Sequence, residues 1–426
     1  MTRKLVVIGN GMAGMKAVEE LISAAPERFE ITVFGAEPYG NYNRILLSPV
    51  LCGEKSIDDI LINPREWYQE NNIRLLAGEE KTVVHIDRLK KIVYAADGTE
   101  AAYDKLLIAT GSKPAMLPLP GNHLDGVMAF RDIYDVNKML AYTREKHHAI
   151  VVGGGLLGLE AANGLAQRGM HVTVVHHNAF ILNRQLDQTA STLLQAELAS
   201  RGIQFKPSSQ IQSLNDHSAN HNGEGHIASV TFTDGSTLPC DLFVMAVGVQ
   251  PNIALAQAAG LYCEQGIIVS DTLQTYDPSI YAVGECIQHR GLTFGLVAPL
   301  FEQAKVCANH LSGHGVANYK TLPTSTKLKV SGIQLFSVGA FNDEQGAEII
   351  TFQDPSAKLY KKLLIKNKRI QGVVLYGETQ DGPWLQALME DKTDISGIRA
   401  SLIFGETYCK PETDSDALTN NDIEAA

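Results

Sequence analysis

The 426-residue sequence contains few cysteines, and they are widely spaced. There are six, and the two nearest, Cys286 and Cys307, are 21 residues apart. Zinc and iron–sulfur centres built from closely spaced cysteines are therefore not expected, and neither is a dense disulfide framework. We predict no metal site, free thiols in a reducing compartment and a cytoplasmic location.

Long apolar runs and an excess of positive charge are also absent. No run approaches the roughly 20 apolar residues that span a bilayer. The short run Leu5–Ile8 is soon interrupted by glycines, so we expect no signal peptide and no membrane segment. The formal net charge is −11, which argues against a nucleic-acid partner. The length and the 45% hydrophobic content predict a globular protein of two or three domains.

A glycine-rich loop follows the strand pattern Leu5–Ile8 and precedes a helix pattern. This order is typical of a βαβ unit that binds a dinucleotide. Gly9 makes the tight turn, Gly11 lets the backbone approach a pyrophosphate, and Gly14 lets the helix pack on the strand. Glu37 stands just beyond the second strand, where a carboxylate accepts hydrogen bonds from ribose hydroxyls.

A second unit of the same kind begins with the strand pattern Ala149–Val152 and the loop Gly153–Gly158. No acid follows its second strand, because His176–Asn178 occupy that corner. The two units are thus chemically unlike, which favours two different dinucleotides. Without a carboxylate to repel a 2′-phosphate, we expect both NADH and NADPH to be used. His176 and Arg184 are the candidates for contacting the phosphate, and the sequence leaves the preferred nucleotide open.

Three further segments match the order of motifs in a known family. They are Leu106–Ser112, Leu242–Asn252 and Ile280–Glu285. With the two glycine units, they resemble the FAD-dependent pyridine nucleotide reductases, the superfamily of glutathione and ferredoxin reductases. The resemblance implies an α/β fold with two Rossmann-like, glutathione-reductase-like domains and a smaller α+β C-terminal domain. It divides the first part of the chain into a discontinuous FAD domain (1–112 and 246–320) and an NAD(P)H domain (113–245). The change of composition after Pro323 predicts a C-terminal domain (321–409), and the acidic composition beyond it predicts a disordered tail (410–426).

The resemblance also implies site residues. Glu160 resembles the acid near the nicotinamide, and we predict it to be catalytic with Arg44 and Ser48. A structural carboxylate at Glu160 and a surface role for Arg44 remain the alternatives. Glu285 stands where the family usually has Asp beside the FAD ribityl chain, and we keep that role for it. The predicted FAD residues are Gly9, Gly11, Met12, Ala13, Gly14, Glu37, Arg44, Ser48, Ala109, Thr110, Gly111, Arg131, Gly284, Glu285 and Pro299. The predicted NAD(P)H residues are Gly153, Gly155, Leu156, Leu157, Gly158, Glu160, His176, Arg184 and Gly248.

Disulfide reductases of this superfamily carry a redox-active cysteine pair just after the first unit. In this sequence Cys52 stands there alone, so we exclude a dithiol relay through it. A peroxidase-like sulfenic acid at Cys52 remains an alternative. Electrons from a reduced flavin would otherwise pass to oxygen, to a small molecule or to another redox protein.

The C-terminal part of the chain sharpens the resemblance. The runs Gly377–Trp384 and Ile398–Gly405, with Asn43–Ser48, look like the flavoprotein half of assimilatory nitrite reductase large subunits and the electron-transfer subunits of nitrate reductase. The cysteine-rich metal modules of full nitrite reductases are lacking. We therefore predict an NAD(P)H reductase that passes electrons to a partner protein and cannot reduce nitrite or nitrate alone. A rubredoxin or ferredoxin reductase and a non-catalytic flavin redox sensor are the alternatives.

Two smaller features allow more than one interpretation. The basic stretch Lys358–Arg369 is either a solvated hairpin or a docking patch for an acidic redox partner. The segment Asn215–Ile227 contains His217, His221 and His226, and we interpret it as a solvated loop rather than a metal site.

Overall fold

The structure is a computed structural model that describes residues 2–216, 225–321, 326–330, 332–342 and 345–409. His217, His221 and the predicted tail 410–426 lie outside these residues. By internal contacts the chain forms two compact units. The first comprises Met1–Ala179 and Leu198–Leu322, and the second comprises Phe180–Glu197 and Pro323–Ala426. The predicted boundary between an FAD domain and an NAD(P)H domain falls inside the first unit and stays a prediction.

The described residues form mostly short strands, with helices between them. The strands are β1 (Arg3–Ile8), β2 (Phe29–Gly35), β3 (Asn41–Tyr42), β4 (Leu61–Asn63), β5 (Ile73–Ala77), β6 (Val83–Asp87), β7 (Ile92–Ala95), β8 (Glu100–Ala102), β9 (Lys105–Ile108), β10 (Ser112–Pro114), β11 (Val127–Ala129), β12 (His148–Val152), β13 (His171–Val175), β14 (Gln204–Lys206), β15 (Ile211–Asp216), β16 (Ile227–Phe232), β17 (Thr237–Pro239), β18 (Leu242–Met245), β19 (Val249–Pro251), β20 (Ile267–Val269), β21 (Ile280–Ala282), β22 (Ile287–His289), β23 (Thr326–Val330), β24 (Ile333–Gly339), β25 (Glu348–Asp354), β26 (Leu359–Lys366) and β27 (Arg369–Tyr376). The helices are α1 (Met12–Ala24), α2 (Leu47–Cys52), α3 (Arg65–Glu70), α4 (Ile133–Tyr142), α5 (Leu156–Gln167), α6 (Gln188–Ser200), α7 (Ala254–Ala258), α8 (Val297–Leu311) and α9 (Gly382–Glu390).

Two parallel five-stranded sheets organise the first unit. The strand order is β21-β9-β1-β2-β5 in one sheet and β11-β18-β12-β13-β14 in the other, and all neighbouring strands are parallel. Strands β1, β9, β12 and β18 are rich in buried aliphatic residues, as expected for strands covered on both faces. The repeated strand order confirms the prediction of two Rossmann-like sheets. In such sheets ligands bind at the carboxyl ends of the strands.

The second unit contains an antiparallel sheet in the order β23-β24-β27-β26-β25. Helix α9 packs on this sheet, and Leu385 of the helix joins Phe336, Val373 and Leu375 in a buried apolar cluster. This arrangement agrees with the α+β class predicted for the C-terminal domain.

The basic stretch Lys358–Arg369 forms most of the hairpin β26–β27. Two of its lysines are not on a solvated face, since Lys361 is 6% exposed and Lys362 is 4% exposed. Lys361 Nζ lies 2.7 Å from Glu378 Oε2, and Lys362 Nζ lies 3.3 Å from Asp187 Oδ2. These buried lysines pair with carboxylates of their own unit, the partly exposed Glu378 and the buried Asp187. Neither the solvated-hairpin interpretation nor the docking-patch interpretation therefore applies to the whole stretch.

Candidate functional site

The first glycine loop has the geometry of a phosphate cradle. Gly9 has φ +113°, and a Cβ there would lie 2.1 Å from the carbonyl oxygen of Ala109. A Cβ on Gly14 would lie 2.8 Å from the carbonyl oxygen of Gly9. Gly11 faces open space, and no side chain caps α1, which begins at Met12. The first N–H groups of α1 are therefore available to an anion.

A cavity of about 440 Å³ adjoins this cradle. Its volume falls within the range of cofactor sites in proteins, roughly 300–1,000 Å³. Because Gly9 of the loop lines this cavity, the residues present suit a dinucleotide with a pyrophosphate at the start of α1. The lining residues are Ile8, Gly9, Phe34, Ala36, Lys81, Thr82, Val83, Val84, Thr110, Asn252, Ala254, Leu255 and Ala258.

Four of the predicted FAD residues form one polar network. Glu37 accepts hydrogen bonds from the hydroxyl of Tyr42, at 2.7 Å, and from the guanidinium of Arg44. Arg44 Nη1 also donates to the main-chain oxygen of Arg131 at 3.0 Å. The guanidinium of Arg131 in turn pairs with the carboxylate of Glu285. The network thus connects the acid predicted for the ribose with the acid predicted for the ribityl chain.

Two supporting residues of this network were not predicted from the sequence. Ser112 Oγ donates to Glu285 Oε2 at 2.8 Å and accepts from Arg131 Nη2 at 2.9 Å. Asp135 Oδ2 accepts from the main-chain N–H of Arg131 at 2.7 Å. Burial, with the nearby carboxylate of Asp132, raises the pKa of Asp135 to about 6. The Asp-x-x-Asp spacing at the start of α4, typical of a helix cap, was the available signal for Asp135.

The remaining predicted FAD residues lie at the carboxyl ends of the same sheet or at helix starts. Ala109, Thr110 and Gly111 follow β9, and Gly284 follows β21. Pro299 is in the first turn of α8. The structure therefore gathers these segments on the edge of the sheet where parallel α/β sheets bind ligands.

The second glycine loop repeats the geometry of the first. Gly153 has φ +114°, and a Cβ there would lie 2.2 Å from the carbonyl oxygen of Ala246. A Cβ on Gly158 would lie 1.9 Å from the carbonyl oxygen of Gly153. Gly155 faces open space, and Leu156 and Leu157 begin α5 without a side-chain cap. Gly248, with φ +115°, follows β18. This second cradle is also open to a pyrophosphate.

The hydrogen bonds of the two loops fix which residues correspond. Gly9 N–H donates to Phe34 O at 2.8 Å, and Gly153 N–H donates to Val175 O at 2.9 Å. Phe34 and Val175 therefore correspond. Glu37 stands three residues after Phe34, so its counterpart is Asn178, three residues after Val175. His176 therefore corresponds to Gly35 rather than to the acid. The sequence suggested His176 as the nucleotide contact because spacing from the glycines does not fix this register.

The His176 side chain contacts the glycine loop. It is 7% exposed, and its Nδ1 accepts a hydrogen bond from Gly154 N–H at 3.2 Å. The first unit has the reverse arrangement, in which the side chain of Asn10 packs against Gly35. His176 thus fills the space that Asn10 fills in the first unit. Arg184 belongs to the second compact unit, and its predicted role stays a prediction.

Helix α2 contacts α5, the helix that follows the second glycine loop, and so connects predicted FAD residues with predicted NAD(P)H residues. Ser48 Oγ donates to Glu160 Oε2 at 2.7 Å, and Arg168 Nε donates to Leu51 O at 2.7 Å. A Cβ on Gly164 would lie 2.8 Å from the Leu51 side chain, so glycine allows the close approach of the helices. Burial raises the pKa of Glu160, and the Ser48 hydrogen bond opposes this shift. The structure therefore brings together two of the three residues predicted to be catalytic.

Cys52 lies at the end of α2, with its Sγ 3.8 Å from Asn163 Nδ2. Burial raises the pKa of its thiol, which disfavours the reactive thiolate. All six cysteines fall within the described residues, and all are free thiols. The described residues contain no group of three or more His, Cys, Asp or Glu side chains able to hold a metal. Over the same residues, no helix has both the length and the apolar character to cross a membrane.

Comparison with known proteins identifies the family. The family model described as "Pyridine nucleotide-disulphide oxidoreductase" matches residues 3–310. A second model, described as "Rubredoxin NAD+ reductase C-terminal domain", matches residues 324–393. The chain belongs to the pyridine nucleotide-disulphide oxidoreductase family. This result confirms the predicted family, the fold class and the prediction of an NAD(P)H oxidoreductase with FAD.

Three similar proteins illustrate the relationship. Nitrite reductase [NAD(P)H] of Bacillus subtilis (strain 168) is 46% identical over 394 residues, which are 92% of this chain and 48% of the relative. The assimilatory nitrate reductase electron transfer subunit of the same organism is 44% identical over 405 residues, or 95% and 51% of the two chains. The crystal structure of NADH:rubredoxin oxidoreductase from Clostridium acetobutylicum has a TM-score of 0.75 at 25% identity and covers 93% of this chain and 97% of that chain. The chain spans about half the length of the two Bacillus relatives.

Proposed function

We propose that this chain oxidises NADH or NADPH through FAD and passes the electrons singly to a separate redox protein. The acceptor we propose is the catalytic subunit of assimilatory nitrate or nitrite reduction. The high identity to a protein named as a nitrate reductase electron transfer subunit supports this acceptor. The two glycine cradles, joined through the contact of α2 with α5, support the use of two dinucleotides.

The first cradle would bind the cofactor FAD, and the second cradle would bind the substrate NAD(P)H. Bound FAD supplies a group that accepts a hydride and releases single electrons. Gly11 and the start of α1 would hold its pyrophosphate, with Glu37 and Glu285 accepting from hydroxyl groups. The loop Gly153–Gly158 would hold NAD(P)H. Ser48 orients the Glu160 carboxyl by its hydrogen bond, which suits a role for Glu160 in positioning the nicotinamide.

The observation that carries the proposal is the state of the cysteines. Cys52 lies in α2, the helix whose Ser48 contacts Glu160, and it has neither a disulfide partner nor a lowered thiol pKa. All six cysteines are free thiols, which argues against the disulfide relay from which the family takes part of its name. Electrons would leave the flavin directly, and a protein acceptor with a one-electron centre suits that route.

The choice of acceptor can be tested with the reduced protein. The chain is reduced under anaerobic conditions with NADH, and reoxidation of the flavin is followed on mixing with each candidate acceptor. We expect rapid reoxidation by the nitrate or nitrite reductase catalytic subunit and none by nitrate or nitrite alone. Consumption of nitrite by this chain alone would contradict the proposal.

A rubredoxin or ferredoxin reductase is the second candidate. It is favoured by the match of residues 324–393 to the rubredoxin reductase C-terminal domain and by the fold of the clostridial enzyme. Reoxidation by rubredoxin faster than by the nitrogen-assimilating subunit would support it. A non-catalytic redox sensor would show no steady turnover with ferricyanide. For either enzyme we propose a cytoplasmic location, in keeping with the free thiols.

A further inference from the structure

A buried glutamine lies beneath the segment that carries Glu285. Gln303 is on the inner face of α8 and is 0% exposed. Its Oε1 accepts a hydrogen bond from the main-chain N–H of Gly284 at 2.8 Å. A buried N–H that loses its acceptor bears the cost of leaving water without compensation. Gln303 is therefore the residue that lets the Gly284 peptide remain buried at this position.

Gly284 is held in a narrow space beside α1. It has φ +95°, a conformation that favours glycine, and a Cβ there would lie 3.1 Å from the Cβ of Ala13. Ala13 is in the first turn of α1, next to the open cradle at Gly11. The hydrogen bond from Gln303 thus fixes the segment where it passes the start of α1.

The same segment directs Glu285 into the polar network. Glu285 follows Gly284 immediately and pairs with Ser112 and Arg131. A shift of the Gly284 peptide would move the Glu285 carboxylate away from these partners. The position of Glu285 relative to the cradle therefore depends on a side chain from α8 that does not itself belong to the network.

We propose that Gln303 is a positioning residue for FAD. It holds the Gly284–Glu285 segment against the start of α1, so that Glu285 and the cradle face the cofactor together. This inference rests on the proposed use of FAD by the first cradle. It assigns to Gln303 no contact with the cofactor.

Two substitutions separate the hydrogen bond from the volume of the side chain. Gln303→Leu is similar in size and removes the acceptor for Gly284 N–H. Gln303→Glu keeps an oxygen that can accept this bond. Because a buried N–H is left unpaired only in the first variant, only the first variant should bind FAD weakly.

Gln288 offers a matched control in the same unit. It is 7% exposed, and its Oε1 accepts from the main-chain N–H groups of Gln265, at 2.9 Å, and Gly266, at 3.2 Å. It lies in β22 and is not one of the predicted cofactor residues. Gln288→Leu therefore removes a comparable buried acceptor away from the cradle, and it reports the effect of general destabilisation.

The experiment measures the dissociation constant of FAD from each apoprotein by flavin fluorescence, together with the thermal midpoint of each apoprotein. We expect Gln303→Leu to raise the FAD dissociation constant roughly 10- to 100-fold, and Gln303→Glu to stay within about 5-fold of wild type. Gln288→Leu should stay within about 3-fold of wild type even where it lowers the thermal midpoint as much as Gln303→Leu does.

Either of two results with the leucine variants would overturn the inference. One is unchanged FAD affinity in Gln303→Leu, and the other is an equal loss of affinity in Gln288→Leu. Failure of wild-type apoprotein to bind FAD at all would instead refute the proposed function. A loss of affinity in Gln303→Glu as large as in Gln303→Leu would also count against the inference, because the acceptor oxygen would then be irrelevant.

Discussion

Nucleotide choice should depend on Asn178 rather than on His176. The register of the two loops places Asn178 where Glu37 stands in the first unit, and Asn178 is half-buried. A carboxylate at this corner would accept a hydrogen bond from the 2′-hydroxyl of NADH and repel the 2′-phosphate of NADPH. We therefore expect wild-type protein to use both nucleotides and Asn178→Asp to favour NADH.

The size of the shift follows from the burial of this corner. Two unit charges about 4 Å apart interact by about 1 kcal/mol in water and by about 4 kcal/mol near a protein surface. For a half-buried residue we take about 2 kcal/mol of repulsion, which corresponds to roughly a 30-fold change in the ratio of kcat/KM values. The new hydrogen bond to the 2′-hydroxyl acts in the same direction.

The assay compares kcat/KM for NADH and NADPH with ferricyanide as the acceptor. His176→Glu is the informative comparison, because it replaces the buried imidazole that packs on the glycine loop and accepts the Gly154 N–H bond. That variant should weaken both nucleotides with little change in their ratio. His177→Asp places a carboxylate on an exposed neighbour and should change the ratio less than Asn178→Asp does. The register would be refuted if His176→Glu shifted the ratio toward NADH and Asn178→Asp did not.

Three further predictions concern single residues. Cys52→Ser should leave ferricyanide reductase activity within a few-fold, and a loss of ~100-fold, about 2.7 kcal/mol of barrier, would place a thiol in the electron path. Gly158→Ala should abolish NAD(P)H binding, measured by titration, but leave the flavin bound, because the new Cβ meets the backbone of Gly153; retained NADPH affinity would contradict this. Asp135 has a folded pKa of about 6, above its ordinary value of 3.8, so its contribution to stability is present at low pH and is lost as pH rises through about 6. The free energy of unfolding, measured with denaturant at pH 4 and pH 7, should no longer show this loss in Asp135→Asn. An unchanged pH dependence would show that another group causes the loss.

The sequence predicted the parts of the fold that follow from local patterns. The glycine loops indicate the strands and helices beside them because Gly9 and Gly153 need glycine. Each has φ near +113°, and a Cβ at either position would lie about 2 Å from a carbonyl oxygen. Apolar runs flanking these loops predicted the buried parallel strands. Family resemblance supplied Arg131, which no local pattern near it indicates.

Long-range contacts were beyond the reach of the sequence. Asn178 is the counterpart of Glu37 because of the hydrogen bonds from Gly9 to Phe34 and from Gly153 to Val175. The number of residues between the glycines and the second strand does not specify these bonds. Gln303 acts on Gly284 from a helix 19 residues away along the chain. The burial of Lys361 and Lys362 depends on carboxylates of distant segments, so composition alone suggested a solvated stretch.

Anaerobic reductive titration tests the central claim most directly. The purified chain should contain about one FAD, which its cradle geometry supports, and the absorbance of the flavin is followed as NADH is added in known amounts. One hydride reduces one flavin, and all six cysteines are free thiols, so one equivalent of NADH per flavin should bleach it completely. A requirement for two equivalents would reveal a second two-electron acceptor such as a disulfide, and a flavin that NADH and NADPH both fail to bleach would contradict the account outright.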